Sequence, residues 1–277
     1  MATKGKALES KFKTIEGVRV HYQETGQGYP VICLHGAGPG ASAESNFKDN
    51  VDAFSQHLRV ILFDMPQYGK SEKVVLKEGR LKYTARILNS FMSELGIESA
   101  HFVGNSMGGQ VALKIGLDYP ERTSRIVAIG SGAVPPVMTP FPAEGIRMIS
   151  RYYSGTGPSR EKLRILLESI VYDSSFLTEE TFEERYQASA DPEVTELFGK
   201  KQGPIPRESL YAELPKLKAK FLGVWGADDR FGALDVGIQI ARMVPDGRLH
   251  MFTKCGHWAQ VEHAEEFNRV VLNFLLN

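Results

Sequence analysis

One stretch constrains this chain more than any other, the sequence GNSMGG at residues 104–109. A short apolar run at residues 100–103 precedes it and is typical of a buried strand, whereas residues 110–117 have helical spacing. Glycines on both sides of a serine permit a sharp turn, because they have no Cβ to clash. The first N–H groups of the following helix bring partial positive charge to the serine. The stretch therefore predicts a strand-to-helix elbow that presents Ser106 as a nucleophile.

Apolar runs alternating with helical stretches extend this pattern along the chain. A continuously apolar run is typical of a strand buried on both faces of a parallel sheet. Residues 12–25 instead alternate as a hairpin that turns at Glu16-Gly17 and adds an antiparallel edge. The predicted strands are 29–34, 59–64, 100–103, 125–130, 219–225 and 248–252, and the predicted helices are 83–95, 110–117, 233–243 and 261–276. The fold class is therefore predicted to be α/β, with a mostly parallel central sheet and helices on both faces.

The alternation stops near residue 134. Prolines interrupt the pattern there, and residues 143–198 contain helical segments but no convincing strand. A chain of 277 residues is also somewhat long for one compact domain without an insertion. We therefore expect a core in two parts, residues 1–133 and 212–277, with a helical cap inserted over residues 134–211.

Composition narrows the classes of partner. Lys+Arg and Asp+Glu both number 33, so no charge asymmetry points to nucleic acid or to an anionic membrane. The first residues lack the apolar segment of a signal peptide, and no later run is long enough to span a bilayer. We expect a cytoplasmic protein that acts on a small molecule.

Neither a metal nor a cofactor is expected. Cys33 lies in a predicted strand and Cys255 beside a glycine, which favours buried reduced thiols over a disulfide or zinc ligands. The glycine-rich loop at residues 35–41 has neither the Lys-Ser/Thr pair of a P-loop nor the G-x-G-x-x-G spacing of a dinucleotide site. This loop is better explained by an oxyanion hole, in which the N–H of Ala37 and that of Met107 would hold a developing negative charge.

Ser106 needs a base, and the base needs an orienting carboxylate. His257 follows a predicted strand, and Asp229 follows the strand before it, with Asp228 as the alternative acid. Taken singly, each is more often an ordinary structural residue. The chain order Ser106, Asp229, His257 matches that of hydrolases with this elbow, so we predict that these three residues form a catalytic triad.

These segments resemble the α/β-hydrolase fold and, within it, the meta-cleavage product hydrolases, which are carbon–carbon bond hydrolases of bacterial aromatic degradation. The resemblance covers nearly the whole chain and is weakest in the cap. It is sharpest at residues 35–41, 45–47, 104–109, 228–231, 254–260 and 267–268. It implies a 2-hydroxy-6-oxohexa-2,4-dienoate substrate with a C6 substituent, cleaved through an acyl-serine to 2-hydroxypenta-2,4-dienoate and a carboxylic acid. It also implies a homo-oligomer.

The resemblance implies further substrate-binding residues. Arg185 aligns with an arginine that contacts the substrate carboxylate, and the other implied positions are Gly38, Asn46, Asn105, Phe231 and Trp258. Simpler roles exist for three of them: Arg185 as a solvated helix charge, Asn46 as a helix cap and Phe231 as a core aromatic.

Two questions stay open at the level of sequence. Residues 204–211 lack the tryptophan that biphenyl-pathway relatives carry near the end of the cap, so the C6 substituent is not assigned to phenyl. The following side chains either line an apolar pocket or form the cap core: Met138, Phe141, Met148, Ile149, Tyr152 and Tyr153. A carboxylesterase or lactonase would use the same triad, and a non-catalytic ligand receptor would use the same scaffold.

Overall fold

The computed structural model describes residues 8–138, 143–206 and 208–277. Eight strands form one sheet in the order β1-β2-β4-β3-β5-β6-β7-β8. Neighbours from β4 through β8 are parallel, whereas the β1–β2 hairpin is antiparallel and lies at the edge of the sheet. The strands are β1 (Lys11–Ile15), β2 (Val18–Thr25), β3 (Pro30–Leu34), β4 (Arg59–Phe63), β5 (Ala100–Asn105), β6 (Thr123–Ile129), β7 (Lys220–Gly226) and β8 (Gly247–Phe252). The predicted α/β class and the edge hairpin are confirmed.

Helices cover both faces of the sheet, as predicted. The α-helices are α1 (Ala43–Ser55), α2 (Arg80–Glu94), α3 (Met107–Asp118), α4 (Glu144–Tyr152), α5 (Arg160–Ile170), α6 (Glu179–Ala190), α7 (Pro192–Glu196), α8 (Leu234–Met243), α9 (Ala259–Glu262) and α10 (Ala264–Leu276). Side chains alternate along each strand, so Ile32 and Leu34 pack with α2, α3 and α8, whereas Val31 and Cys33 pack with α1 and α10. Two cores result, one on each face.

Four helices differ from their predictions, among them α3, which begins at Met107 and not at residue 110. Helix α1 was not predicted, and it begins with a capping box in which the Ser42 and Ser45 side chains satisfy each other's backbone N–H. Helix α2 begins earlier than predicted because Glu208, distant in sequence, accepts hydrogen bonds from the N–H groups of Leu81 and Lys82. The single C-terminal helix predicted over 261–276 is two helices, α9 and α10, since His263 has a non-helical backbone (φ −127°, ψ 41°).

Helices α4 to α7 lie between β6 and β7 and end in a π-helical turn, Leu197–Lys201. No strand occurs among the described residues of the predicted cap, and its boundaries at 134 and 211 remain predictions. The cap has its own apolar cluster, which includes Tyr152 and reaches Phe231 and Trp258 of the core. Among the side chains predicted to form either a pocket or the cap core, Tyr152 belongs to the cap core. Met138 is 79% exposed, so both predictions are wrong for it, and Phe141 lies outside the described residues.

Across the part of the chain that the structure describes, no helix combines the length and apolarity that crossing a membrane requires.

Candidate active site

Ser106 lies at the turn between β5 and α3, as the glycine spacing predicts. Its backbone is in a region that non-glycine residues rarely adopt (φ 54°, ψ −117°), and its N–H donates to the carbonyl of Ile129 at 2.7 Å. A Cβ at Gly108 would lie 2.1 Å from the carbonyl oxygen of Leu34, and a Cβ at Gly104 would lie 2.3 Å from the backbone of Gly108. The glycines are therefore required because α3 packs directly against β3 and β5.

The loops after β7 and β8 bring an acid and a base together. Asp229 Oδ2 lies 2.8 Å from His257 Nδ1, and the two side chains are only 1% and 5% exposed. Asp229 Oδ1 accepts hydrogen bonds from the N–H groups of Phe231 (2.7 Å) and Gly232 (2.9 Å), which fixes the carboxylate. This geometry places the imidazole hydrogen on Nδ1 and leaves Nε2 free to accept a proton. Asp228 is exposed instead and does not contact the imidazole.

Ser106 and His257 line one pocket between the core and the cap. Within the described ranges, Ser106 Oγ has no hydrogen-bond partner, and catalytic hydrogen bonds of this kind often tighten only when substrate binds. The Phe231 ring stacks on the imidazole, with centroids 5.0 Å apart and planes at 25°. The remaining walls are formed by Gly36, Ala37, Gly38, Ala41, Asn46, Asn105, Ile149, Ile170, Arg185 and Trp258.

The predicted oxyanion donors face no competing acceptor. No backbone hydrogen bond from the N–H of Ala37 or Met107 is made to any described residue. Asn46 is a buried residue of α1. Its side-chain oxygen accepts a hydrogen bond from the N–H of Gly36 at 3.1 Å, which fixes the loop that carries Ala37. The alternative of Asn46 as a helix cap is wrong, because Ser42 caps α1.

Asn105 connects the elbow to the loop of the base. Its Nδ2 donates to the carbonyl of His257 at 3.1 Å and to that of Ile129 at 3.4 Å. Its buried Oδ1 has no partner among the described residues. An unpartnered buried acceptor in a pocket wall is suited to a ligand hydroxyl.

Arg185 projects from α6 into the same pocket and is only 3% exposed. Its Nη1 donates to Ser45 Oγ at 3.0 Å, its guanidinium lies 5.3 Å from the Trp258 ring centroid, and its Nε has no partner. No carboxylate of the described residues lies within 4.0 Å of it. Burial lowers the pKa of Arg185 to about 10. The alternative of a solvated helix charge is therefore wrong.

Gly38 lies directly against this guanidinium. A Cβ at Gly38 would be 3.2 Å from Arg185 Nη2, so glycine leaves room for a ligand beside the charge. The Ser106 pocket has a cavity volume of only about 20 Å³, whereas an adjoining cleft of about 1000 Å³ shares the walls Ala37, Gly38, Ala41, Ile149 and Arg185. The cap is thus closed over Ser106 and open towards the cleft.

A family model described as the alpha/beta hydrolase fold matches residues 29–264. The 2-hydroxy-6-oxo-6-phenylhexa-2,4-dienoate hydrolase of Burkholderia cepacia is 40% identical, with all of both chains covered. The 2-hydroxy-6-oxononadienedioate/2-hydroxy-6-oxononatrienedioate hydrolase of Comamonas testosteroni is also 40% identical over the full length of both. The chain belongs to the meta-cleavage product hydrolases of the α/β-hydrolase family.

Solved structures agree with this assignment of the enzyme. A meta-cleavage product hydrolase from Pseudomonas fluorescens IP01, solved as an alanine variant complexed with acetates, superposes with a TM-score of 0.86 at 33% identity. The superposition covers 96% of this hydrolase and 97% of that chain. Fold and family are therefore the same over nearly the whole molecule.

Sequence reasoning missed several residues that shape this hydrolase site. Ser45 was part of a recognised segment but was given no role, although it holds Arg185. Ile170 lines the pocket from the end of α5, and nothing in its local sequence signals this. Cys33 and Cys255 are buried free thiols, and no group of three metal-ligating side chains occurs among the residues described.

Proposed function

We propose that this hydrolase cleaves the carbon–carbon bond of a 2-hydroxy-6-oxohexa-2,4-dienoate that carries an aryl or alkyl group at C6. The products are 2-hydroxypenta-2,4-dienoate and a carboxylic acid. The observation that supports this most is the buried Arg185, which lacks a carboxylate partner and lies in the same pocket as Ser106 and His257. A buried charge without a partner is costly, and a substrate carboxylate supplies the missing one.

The chemistry follows from the positions of these side chains. Arg185 binds the carboxylate of the dienoate, and His257 moves the proton that converts the dienol to its keto form. Ser106 then attacks the C6 carbonyl and gives its proton to His257, which Asp229 orients. The N–H groups of Ala37 and Met107 stabilise the oxyanion.

Bond cleavage leaves the C6 fragment on the enzyme. The electron pair of the C5–C6 bond forms a C4=C5 double bond, and the C3=C4 double bond shifts to C2=C3 so that the charge reaches the oxygen at C2. This oxygen takes the proton that His257 received from Ser106, and the fragment departs as the hydroxypentadienoate. The C6 fragment remains as an ester of Ser106, and a water molecule activated by His257 hydrolyses it to the carboxylic acid. One water is consumed in each turnover, and no cofactor is needed.

The pocket walls also bear on the C6 substituent. Ile149, Ile170, Phe231 and Trp258 are apolar, and among the described residues Arg185 is the only lysine or arginine in the wall of the Ser106 pocket itself. A neutral substituent fits these walls better than one that ends in a carboxylate. We therefore expect 6-alkyl and 6-aryl substrates to be preferred to nonadienedioates.

The test uses the visible absorbance of yellow dienoates. Purified enzyme, mixed with 6-methyl, 6-phenyl and nonadienedioate substrates and in parallel with a nitrophenyl ester panel, is expected to bleach the neutral dienoates fastest. Ser106→Ala should lower turnover by about 10⁴-fold or more while retaining binding, whereas Ser93→Ala, a change on an exposed face of α2, should have no effect.

Two outcomes would contradict the proposal. Turnover of esters without bleaching of any dienoate would identify a carboxylesterase or lactonase with the same triad. Dienoate binding without turnover, and without trapping of Ser106 by a phosphonate, would identify a ligand receptor. A cytoplasmic location and a homo-oligomeric state also stay predictions, the latter to be measured by light scattering.

A further inference from the structure

Glu262, the last residue of α9, binds backbone groups on both sides of His257. Its Oε1 accepts hydrogen bonds from the N–H groups of Gly256 at 2.9 Å and Trp258 at 3.4 Å. Its Oε2 accepts one from the N–H of Tyr172 at 2.7 Å and a second from the N–H of Gly256 at 3.1 Å. Gly256 and Trp258 are the neighbours of the base in the core, whereas Tyr172 follows the end of α5 in the predicted cap. One carboxylate therefore joins the loop of His257 to the cap.

A second contact joins the same two segments. The backbone N–H of His257 donates to the carbonyl of Ile170 at 2.6 Å. A Cβ at Gly256 would lie 2.4 Å from that carbonyl oxygen, so the segments are in direct contact. The position of the imidazole thus depends on where residues 170–172 lie.

We propose that Glu262 is a positioning residue that couples closure of the cap to the placement of His257. When the cap closes, the N–H of Tyr172 reaches the carboxylate, and the carboxylate fixes Gly256 and Trp258 around the base. This inference rests on the proposed function, because it assigns a role in the same reaction.

The carboxylate of Glu262 is held by backbone N–H groups and not by a cation. It forms no ion pair within the described part of the chain. Burial raises the pKa of Glu262, although the N–H groups of Tyr172, Gly256 and Trp258 oppose the rise. A carboxyl whose pKa is raised by folding stabilises the fold only below its unfolded pKa, and this contribution is lost as the pH rises through the folded pKa. The stability that Glu262 contributes is therefore expected to decrease as the pH rises through its folded pKa.

The first experiment compares Glu262→Gln with Glu265→Gln, an exposed glutamate on α10. The amide has one acceptor oxygen where the carboxylate has two, so either the N–H of Tyr172 or the N–H of Trp258 loses its acceptor, whereas the N–H of Gly256 reaches either oxygen. We expect kcat on the preferred dienoate to fall by about 100-fold, as for a displacement of a catalytic group by about 1 Å. KM should change little, since Arg185 is untouched, and Glu265→Gln should behave as wild type.

Spectroscopy separates positioning from stability. The Nδ1 proton shared by His257 and Asp229 gives a downfield proton resonance, which we expect to shift or broaden in Glu262→Gln while the melting temperature stays near that of wild type. An unchanged resonance with unchanged kcat would overturn the proposal, as would a fall in kcat that merely followed a fall in stability.

A second pair of variants alters the cap side alone. Tyr172→Pro removes the N–H donor, and Tyr172→Ala keeps it while removing the same exposed ring. Val171 is already extended (φ −109°, ψ 159°), the conformation that a residue before proline prefers. We expect Tyr172→Pro, but not Tyr172→Ala, to lower kcat with the same change in the His257 resonance. Equal rates for the two variants would overturn the coupling.

Failure of the two proposals is distinguishable. Wild-type enzyme that bleaches no dienoate contradicts the proposed function. If the wild-type enzyme and the Glu262→Gln variant bleach dienoates at the same rate, only the role of Glu262 is contradicted.

Discussion

Two residues of the site are held in states that the isolated chain would not favour. Ser106 has a positive φ, and Arg185 carries a charge although its side chain is buried away from solvent. Each state costs free energy, and each is maintained by the packing around it. Backbone strain and buried charges of this kind cluster at functional sites.

Arg185→Met tests this balance. Methionine is unbranched and apolar, so it removes the buried charge with little change of length. The lowered pKa of Arg185, about 10, means that its charged form is less stable in the folded than in the unfolded chain. We expect the melting temperature to rise by about 2–4 °C, for about 1 kcal/mol, and KM for the dienoate to rise by about 100-fold.

Calorimetry and steady-state kinetics check both parts of this prediction. Arg269→Met, at an exposed arginine of α10 paired with Glu266, provides the control and should change neither quantity. If Arg185→Met lowered the melting temperature and left KM unchanged, Arg185 would have a structural role instead.

At the scale of elements, the site depends on how closely α3 approaches the sheet. Gly108 lies against the carbonyl groups of Leu34 and His35, so at this position the backbone of α3 contacts the backbone at the end of β3 directly. The same closeness brings the loop after β3, with Ala37, to the N-terminus of α3. The packing of α3 and the geometry of the predicted oxyanion hole thus depend on one contact.

Gly108→Ala should push α3 away from β3. The added methyl group has no space, and overpacking of this kind costs about 3 kcal/mol or more. We expect a large fall in the denaturant midpoint, together with loss of activity. Gly203→Ala is the control, since a Cβ there meets no atom within 4 Å, and it should leave the midpoint unchanged. Equal midpoints for the two variants would contradict the close packing.

At the scale of the whole molecule, one buried carboxylate joins several elements. Asp64 follows β4 and accepts hydrogen bonds from His21 Nδ1 of β2 (2.8 Å), the N–H of Ala43 at the start of α1 (2.7 Å) and the N–H of Lys70 (3.0 Å). Burial alone would raise the pKa of Asp64, but these hydrogen bonds outweigh it and hold the pKa below its usual value of 3.8. Asp64 therefore fixes the edge hairpin and α1 relative to each other.

This lowered pKa predicts how stability depends on pH. A carboxyl with a lowered folded pKa stabilises the fold above its unfolded pKa of 3.8, and the contribution is lost as the pH falls through the folded pKa. Asp64→Asn should lower the free energy of unfolding at pH 7 by about 3 kcal/mol and flatten its dependence on pH below about 4. Denaturant titrations from pH 7 to pH 2 measure this. Asp118→Asn, in a surface pair with Lys114, should have little effect.

Most of the sheet and the elbow were predictable because their signals are local. Continuous apolar runs and the glycine–serine spacing are read within a few residues, and the chain order of Ser106, Asp229 and His257 needs only strand ends. Helix α1 was missed because its apolar positions are sparse, and the start of α2 was missed because Glu208 caps it from 127 residues away. The break at His263 follows from its backbone conformation, which local spacing does not reveal.

The sequence by itself determined the fold class, the elbow and the chain order of the predicted triad, since strand burial, glycine sterics and chain order are local properties. Only the tertiary structure decided which aspartate contacts His257, that Arg185 is buried without a counter-charge, and that Glu262 joins the base to the cap. These depend on contacts between residues far apart in the chain. Burial and hydrogen bonding stabilise these residues only when the distant segments are in contact, and a local sequence pattern does not show which distant segments will be in contact.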